Sequence, residues 1–188
     1  MVRGSVSLRP LEPDDLETLF EWHRDVDIDA WSGWTPRYSR ARFEQRYGDL
    51  LREPPEDFVM FGIEWADDLV GYIELAEISR IHRRGAVGFV VASRGARRHH
   101  VGTDAVILLC DYAFHLEDLD RVYAEVYPFN VPSIRLLAGV GFAQEGVLRQ
   151  HDVHQGRRQD VVVLGLGRSE FEALHPTALP DPGAPGRS

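Results

Sequence analysis

Between residues 58 and 116 the spacing of apolar residues changes period at one point. Before it come three strand-like runs, 58–65, 69–78 and 86–92; after it Ala105, Leu109, Tyr112 and Leu116 recur on one helical stripe. A chain that strings short strands together and then closes them with an apolar helix must bury a sheet face under that helix. The point of change is itself unusual. Arg97, Arg98, His99 and His100 stand in a row, followed by Val101 and Gly102, in a chain whose formal net charge is −9.

The flanking segments extend the pattern. Residues 6–11 alternate as a first strand, stopped by Pro10 and Pro13, and Leu16, Leu19, Phe20 and His23 predict a helix over 14–24. Ser39 is placed to cap a second helix with the stripe Phe43, Tyr47 and Leu50 or Leu51. The runs 58–65 and 69–78 form a hairpin turning at Asp67 and Asp68. A strand over 121–128 leads into a short helix with Asn130 as N-cap, Pro132 in its first turn and Gly139 or Gly141 as its stop. A last strand pair, joined across residues 154–157, completes an α/β (α+β) domain. Its sheet is mixed and mainly antiparallel, with about seven strands and about four helices. One domain is expected over residues 1–174, with a Pro- and Gly-rich flexible tail over 175–188.

Charge and composition narrow the function. A net charge of −9 disfavours nucleic acid and anionic membrane as partners, since both are held mainly by excess Lys and Arg. The single cysteine, Cys110, lies among Leu108, Leu109 and Tyr112 and reads as core. No stretch resembles a signal peptide or a membrane span, so a cytoplasmic location is expected.

The basic junction has a physical reading of its own. A helix starting near residues 101–103 presents unpaired N–H groups and the positive end of its dipole. Arg97, Arg98, His99 and His100 add side-chain charge beside that end, and Gly102, lacking a Cβ, lets an anion approach the backbone. A pyrophosphate suits such a site; a solvated loop entering a helix is the plainer alternative. Neither the Walker pattern nor the three-glycine dinucleotide fingerprint is present.

With residues further along, the junction resembles the GNAT superfamily of acetyl-CoA-dependent N-acyltransferases, in particular the branch similar to RimJ and RimL. That branch follows a strand with a Gln/Arg-x-x-Gly-x-Gly/Ala loop and a helix opening Thr-Glu-Ala; here Arg97 to Gly102 are followed by Thr103, Asp104 and Ala105. Asn130, Ser133, Ile134, Arg135, Leu136 and Leu137 match the next motif. Gly141 and Phe142, then Glu145, Gly146, Leu148 and Arg149, and finally Gly156 and Asp160, match the rest. The resemblance spans residues 5–168. It departs at His100, where the family's first loop glycine falls, and an imidazole there either crowds a pyrophosphate or adds a donor.

The resemblance implies a GNAT fold, acetyl-CoA as co-substrate, no metal, and direct attack of an amine on the acetyl carbon. It implies that the strand ending near Val91 splays from the strand over 121–128. Backbone groups at Phe89, Val90 and Val91 would then hold the pantetheine arm, and Arg97, Arg98, His99, His100, Val101, Gly102 and Thr103 the pyrophosphate. Asn130 and Ser133 match cofactor-contacting positions, with Ser133 as proton donor to the departing thiolate; a cap and a first-turn residue are the alternatives. For the general base, Glu74 comes first, then Glu125 and Asp152, because a carboxylate between apolar neighbours has a raised pKa; each of these, and Glu77, could instead face solvent or pair with arginine. His23 reads as packed. Asp27, Asp29, Trp31 and Trp34 would suit a cationic amine through charge and cation–π attraction, or else serve as caps and core. The acceptor is a small-molecule amine or a protein N-terminus, and a homodimer is expected from the family. A catalytically silent acyl-CoA-binding sensor or interaction module is the alternative function.

Overall fold

The computed structural model describes residues 1–32, 38–97 and 99–175, with Asp29 and Ser32 described in their backbone alone. The strands are β1 (Val2–Arg3), β2 (Val6–Pro10), β3 (Val59–Trp65), β4 (Asp68–Ser79), β5 (Arg84–Val91), β6 (Arg121–Val126), β7 (Ala143–His154) and β8 (Arg157–Gly167). The helices are α1 (Leu16–Arg24), α2 (Val26–Ser32), α3 (Arg40–Arg52), α4 (Val101–His115), α5 (Val131–Val140) and α6 (Arg168–Leu174). One sheet runs β1-β2-β3-β4-β5-β6-β8-β7, antiparallel at every junction except β5–β6. The exception follows from the connection, since a strand–helix–strand crossover through α4 returns the chain in the same direction.

The core is built around α4. Val106, Ile107, Leu108, Leu109, Cys110, Ala113 and Phe114 are all buried, so the helix is enclosed on nearly every side rather than along one stripe. The stripe read from the sequence therefore fails at its end: Leu116 lies just past the helix and is 61% exposed. Cys110 has no exposure, and burial pushes its thiol pKa well up, as expected of a core position. A second apolar cluster, Leu11, Leu19, Phe20 and Phe43, joins α1 to α3. His23 packs there against Tyr38, Phe43 and Tyr47.

The count of seven strands and four helices is corrected to eight and six among the described residues. β1 has two residues, too few to display alternation, and exists by pairing with β2. α6 buries the single aromatic Phe171, and its start is capped by Glu170, which accepts from the Gly167 N–H at 2.8 Å. α2 falls in a stretch that reads as irregular. Its signal is Asp25, whose Oδ1 accepts from the N–H groups of Asp27 at 2.8 Å and Ile28 at 3.4 Å, the geometry of a helix N-cap. The tail beyond residue 175 lies outside the described residues.

Loss of the α2 cap gives the first test. Asp25→Ala is expected to cost about 1 kcal/mol and to lower Tm by roughly 2–4 °C for a domain of this size; a calorimetric melt reads it.

Candidate active site

The sheet opens between β5 and β6. These strands pair in parallel at three positions, Arg84 with Arg121, Gly85 with Val122 and Ala86 with Tyr123, and then part. The closed end is fixed by the N–H groups of Asp120 and Arg121, which donate to the Arg83 carbonyl at 2.7 and 3.2 Å. Beyond Ala86, β5 stays paired with β4 as far as Val91, and β6 stays paired with β8 as far as Val126. The facing edges thus carry backbone groups without a strand partner across the gap, and such groups accept an extended ligand as an added strand. The gap is a cavity of about 790 Å³ whose walls include Phe89, Val90, Val91, Ala124 and Val126.

α4 begins at one lip of this cavity. Its first intrahelical bond runs from the Asp104 N–H to the His100 carbonyl at 2.9 Å, so the amides of Val101, Gly102 and Thr103 precede the bonded ladder. All three residues line the cavity with Arg97 and His100. His100 adopts φ = 59°, the left-handed conformation in which a side chain is disfavoured, which accounts for the glycine of the family pattern at this position.

Three readings of the loop change. Gly102 is buried, and a Cβ there would lie 2.7 Å from Leu136 Cδ1 and 3.3 Å from Val91 Cγ2. Its missing side chain admits α5 and β5. Arg97 turns back on the strand end, donating from Nε to the Val91 carbonyl at 3.2 Å and from Nη2 to the Ala92 carbonyl at 3.3 Å. His99 stacks on Trp65 of β3, ring centroids 5.0 Å apart, and is not among the cavity's lining residues. Arg98 lies outside the described residues.

α5 begins at the opposite lip. Asn130 Oδ1 accepts from the Ser133 N–H at 3.3 Å as an N-cap, while Asn130 Nδ2 donates to the Trp31 carbonyl at 3.3 Å. Asn130 is therefore both cap and tie to α2. Asn130 and Ser133 line the cavity.

Glu74 stands on β4, behind β5, and also lines the cavity. Its neighbour across the strands is Gly88, where a Cβ would lie 2.8 Å from Glu74 Oε1; a glycine is what leaves room for the carboxyl. Burial raises its pKa to about 7. Tyr47 and Tyr72 share that wall, and burial raises the Tyr47 phenol to about 12, with the charge of Glu74 adding to the shift. Neither tyrosine was singled out for the site, although Tyr72 stands two residues from Glu74 and so on the same face of β4.

The other sequence-derived residues separate. Glu125 reaches the cavity but is exposed, because it stands on the face of β6 opposite buried Ala124 and Val126, so the expected apolar enclosure does not occur. Glu77 is outside the cavity lining, exposed, and accepts from the Tyr123 hydroxyl at 2.5 Å. Asp27 is not a lining residue; it pairs with Arg94 in the loop before α4. Trp31 lines the cavity at 46% exposure, with its ring 6.4 Å from that of Phe129. The Asp29 side chain and Trp34 lie outside the described residues. Asp152 lines the cavity and accepts from the Tyr127 hydroxyl at 3.1 Å.

Among the described residues, no group of three or more His, Cys, Asp or Glu is placed to hold a metal ion, and no helix is long and apolar enough to cross a membrane. The parted strands and the amides opening α4 fit the arm and phosphates of coenzyme A.

Comparison with known proteins agrees. Residues 5–143 match the acetyltransferase (GNAT) domain. The chain is 30% identical over 173 residues to an uncharacterized N-acetyltransferase, p20, of Bacillus licheniformis, covering 88% of this chain and 94% of the relative. Spermidine N-acetyltransferase from Vibrio cholerae, solved in complex with CoA and spermine, superposes with a TM-score of 0.82 at 25% identity, over 90% of this chain and 99% of that one. RimJ of Mycobacterium smegmatis, in complex with CoA-disulfide, shares the fold at a TM-score of 0.78 and 24% identity, over 88% of this chain and 83% of that one. Of the two functions left open by the sequence, enzyme and silent binding module, these relatives decide for the enzyme. The chain belongs to the GNAT acetyltransferases and is an acetyl-CoA-dependent N-acyltransferase.

Proposed function

We propose that the chain acetylates the primary amine of a small cationic molecule, with Glu74 as general base and Ser133 as proton donor to the leaving group. The observation that carries this reading is Glu74: a carboxyl on the cavity wall, enclosed by tyrosines and provided with space by Gly88. A base with a pKa near 7 accepts a proton at neutral pH and releases it again afterwards.

Acetyl-CoA supplies an acetyl thioester. Glu74 takes a proton from the acceptor's ammonium, directly or through water, so that the neutral nitrogen can attack the acetyl carbon. A backbone N–H from the parted edge of β5, at Phe89, Val90 or Val91, stabilises the oxygen as charge develops on it. As the C–N bond forms and the C–S bond breaks, Ser133 gives its hydroxyl proton to the sulfur, and the proton shed by the attacking nitrogen replaces it through water. Val101, Gly102 and Thr103 hold phosphate through their amides. His100 stands beside them as a further donor to that phosphate.

A small cationic acceptor is supported by the walls beyond Glu74. Trp31, Tyr47, Tyr72 and Tyr127 offer ring faces, and Glu125 and Asp152 offer negative charge. The Vibrio cholerae relative is named for spermidine, a small amine of this kind. A homodimer follows the family pattern and is the state expected in sedimentation.

Three outcomes test this reading. Thiol release from acetyl-CoA is expected with small cationic amines and not with N-terminal peptides; a panel showing the reverse assigns the acceptor to proteins. kcat/KM is expected to rise with pH through an acidic limb near 7. Glu74→Gln should abolish that limb and lower the rate by about 10²-fold or more, whereas Glu125→Gln should keep the limb.

The same carboxyl has a stability signature. Below about pH 4.5 it is protonated in both folded and unfolded chains; between there and pH 7 the unfolded chain has released a proton that the folded one retains, so stability falls as pH rises across that window. Glu74→Gln is expected to flatten that slope in chemical denaturation followed at a series of pH values.

A further inference from the structure

Asp152 belongs to the outermost strand, yet it lines the cavity. Regular pairing would not bring it there. β7 and β8 are in register at Val147 with Val162 and at Leu148 with Val161, and resume at Asp152 with Gln159, so residues 149–151 stand opposite Asp160 alone. Continued without interruption, the first register would set Asp152 opposite Arg157 near the hairpin tip. The bulge draws it back by two positions, about 7 Å at 3.4 Å per residue, toward the end of β6.

The bulge is fastened by its own side chains. Asp160 Oδ1 accepts from the Gln150 N–H at 2.7 Å, and Arg158 Nη1 donates to the carbonyls of Gln150 at 3.4 Å and His151 at 3.2 Å. Gln150 is held at φ = 49°. Bulges beside active sites commonly serve to re-aim a side chain. Here the residue brought into place meets Tyr127, whose hydroxyl donates to Asp152 Oδ2 at 3.1 Å. Tyr127 is braced in turn, stacked on Phe129 at 5.2 Å and flanked by His154 at 5.2 Å. A carboxylate has about four acceptor positions, and the phenol uses one, fixing the group while leaving capacity for a cation.

Three strands, β5, β6 and β8, intervene in the sheet between Glu74 on β4 and Asp152 on β7. The two carboxylates therefore reach one cavity from strands well separated in the sheet. We propose that Asp152, aimed by the β7 bulge and oriented by Tyr127, is a specificity residue that binds the second, non-reacting ammonium of a di- or polyamine while the first is acetylated near Glu74. This rests on the small cationic acceptor proposed above. Asp160 and Arg158 act through Asp152 as positioning residues.

The test compares α,ω-diamines of four to eight carbons with monoamines of the same length, by thiol release from acetyl-CoA. The quantity read is the ratio of kcat/KM for diamine to kcat/KM for monoamine. The wild type is expected to prefer at least one diamine, and Asp152→Asn to lower that ratio about tenfold through KM, as for a lost charge-assisted contact. Asp160→Ala, which touches no substrate, should lower the same ratio by releasing the bulge, and Asp160→Asn should restore part of it. A ratio within twofold of wild type in Asp152→Asn overturns the anchor while leaving the small-amine reading intact, and so does an equal loss on both amines. A wild type that turns over neither class overturns that reading and the anchor with it. If Asp160→Ala fails to fold, Asp152→Asn decides alone.

Discussion

Two parallel strands that share three register positions and then separate are the constraint on which this molecule depends. The pairing of β5 with β6 ends at Ala86 and Tyr123, and every later backbone group on the facing edges lacks a strand partner. An unpaired edge in a sheet interior is costly unless water or a ligand occupies it. The cost is tolerable because each strand remains fully laddered on its other side, β5 to β4 and β6 to β8. The gap also fixes where the helices start. A helix that follows a parallel strand begins at that strand's carboxyl end, so α4 after β5 and α5 after β6 both open beside the parting.

The site then combines two opposed electrostatic environments. At the lips are helix N-termini with His100, suited to anions; on the walls behind are Glu74, Glu125 and Asp152 among aromatic rings, suited to cations. Glu74 is the strained member. Its carboxyl is largely enclosed, and that enclosure pushes its pKa up to about 7. A protein optimised for stability would not keep an acid there. Retaining it at a cavity wall, with a glycine opposite to give it room, is the pattern expected of a group kept for chemistry.

Much of the architecture could be read before any coordinates, and the failures have definite causes. Ser39 and Asn130 cap the helices assigned to them, because an N-cap is a local event between a side chain and an amide two or three residues on. Asp25 obeys the same rule and was passed over because α2 is too short for a stripe to announce it. Gly102 reads in the sequence as room for an anion, and its missing side chain also makes room for packing. A glycine reports that something comes close, while only packing reveals that Leu136 and Val91 are what come close. Arg97 likewise reads as a free cation until the strand-end carbonyls beside it are known.

The sequence by itself determined the order of the longer strands and helices, the position of the basic junction, the enclosure of Cys110 and the motifs that mark an acyltransferase, because each of these is set by residues near one another in the chain. Only the tertiary structure decided which carboxylates share a cavity, which of them is enclosed, and how the β7 bulge brings Asp152 to Tyr127. Those facts depend on register and on desolvation. Both are properties of what lies across the sheet, and a strand carries no local record of its partner's alignment.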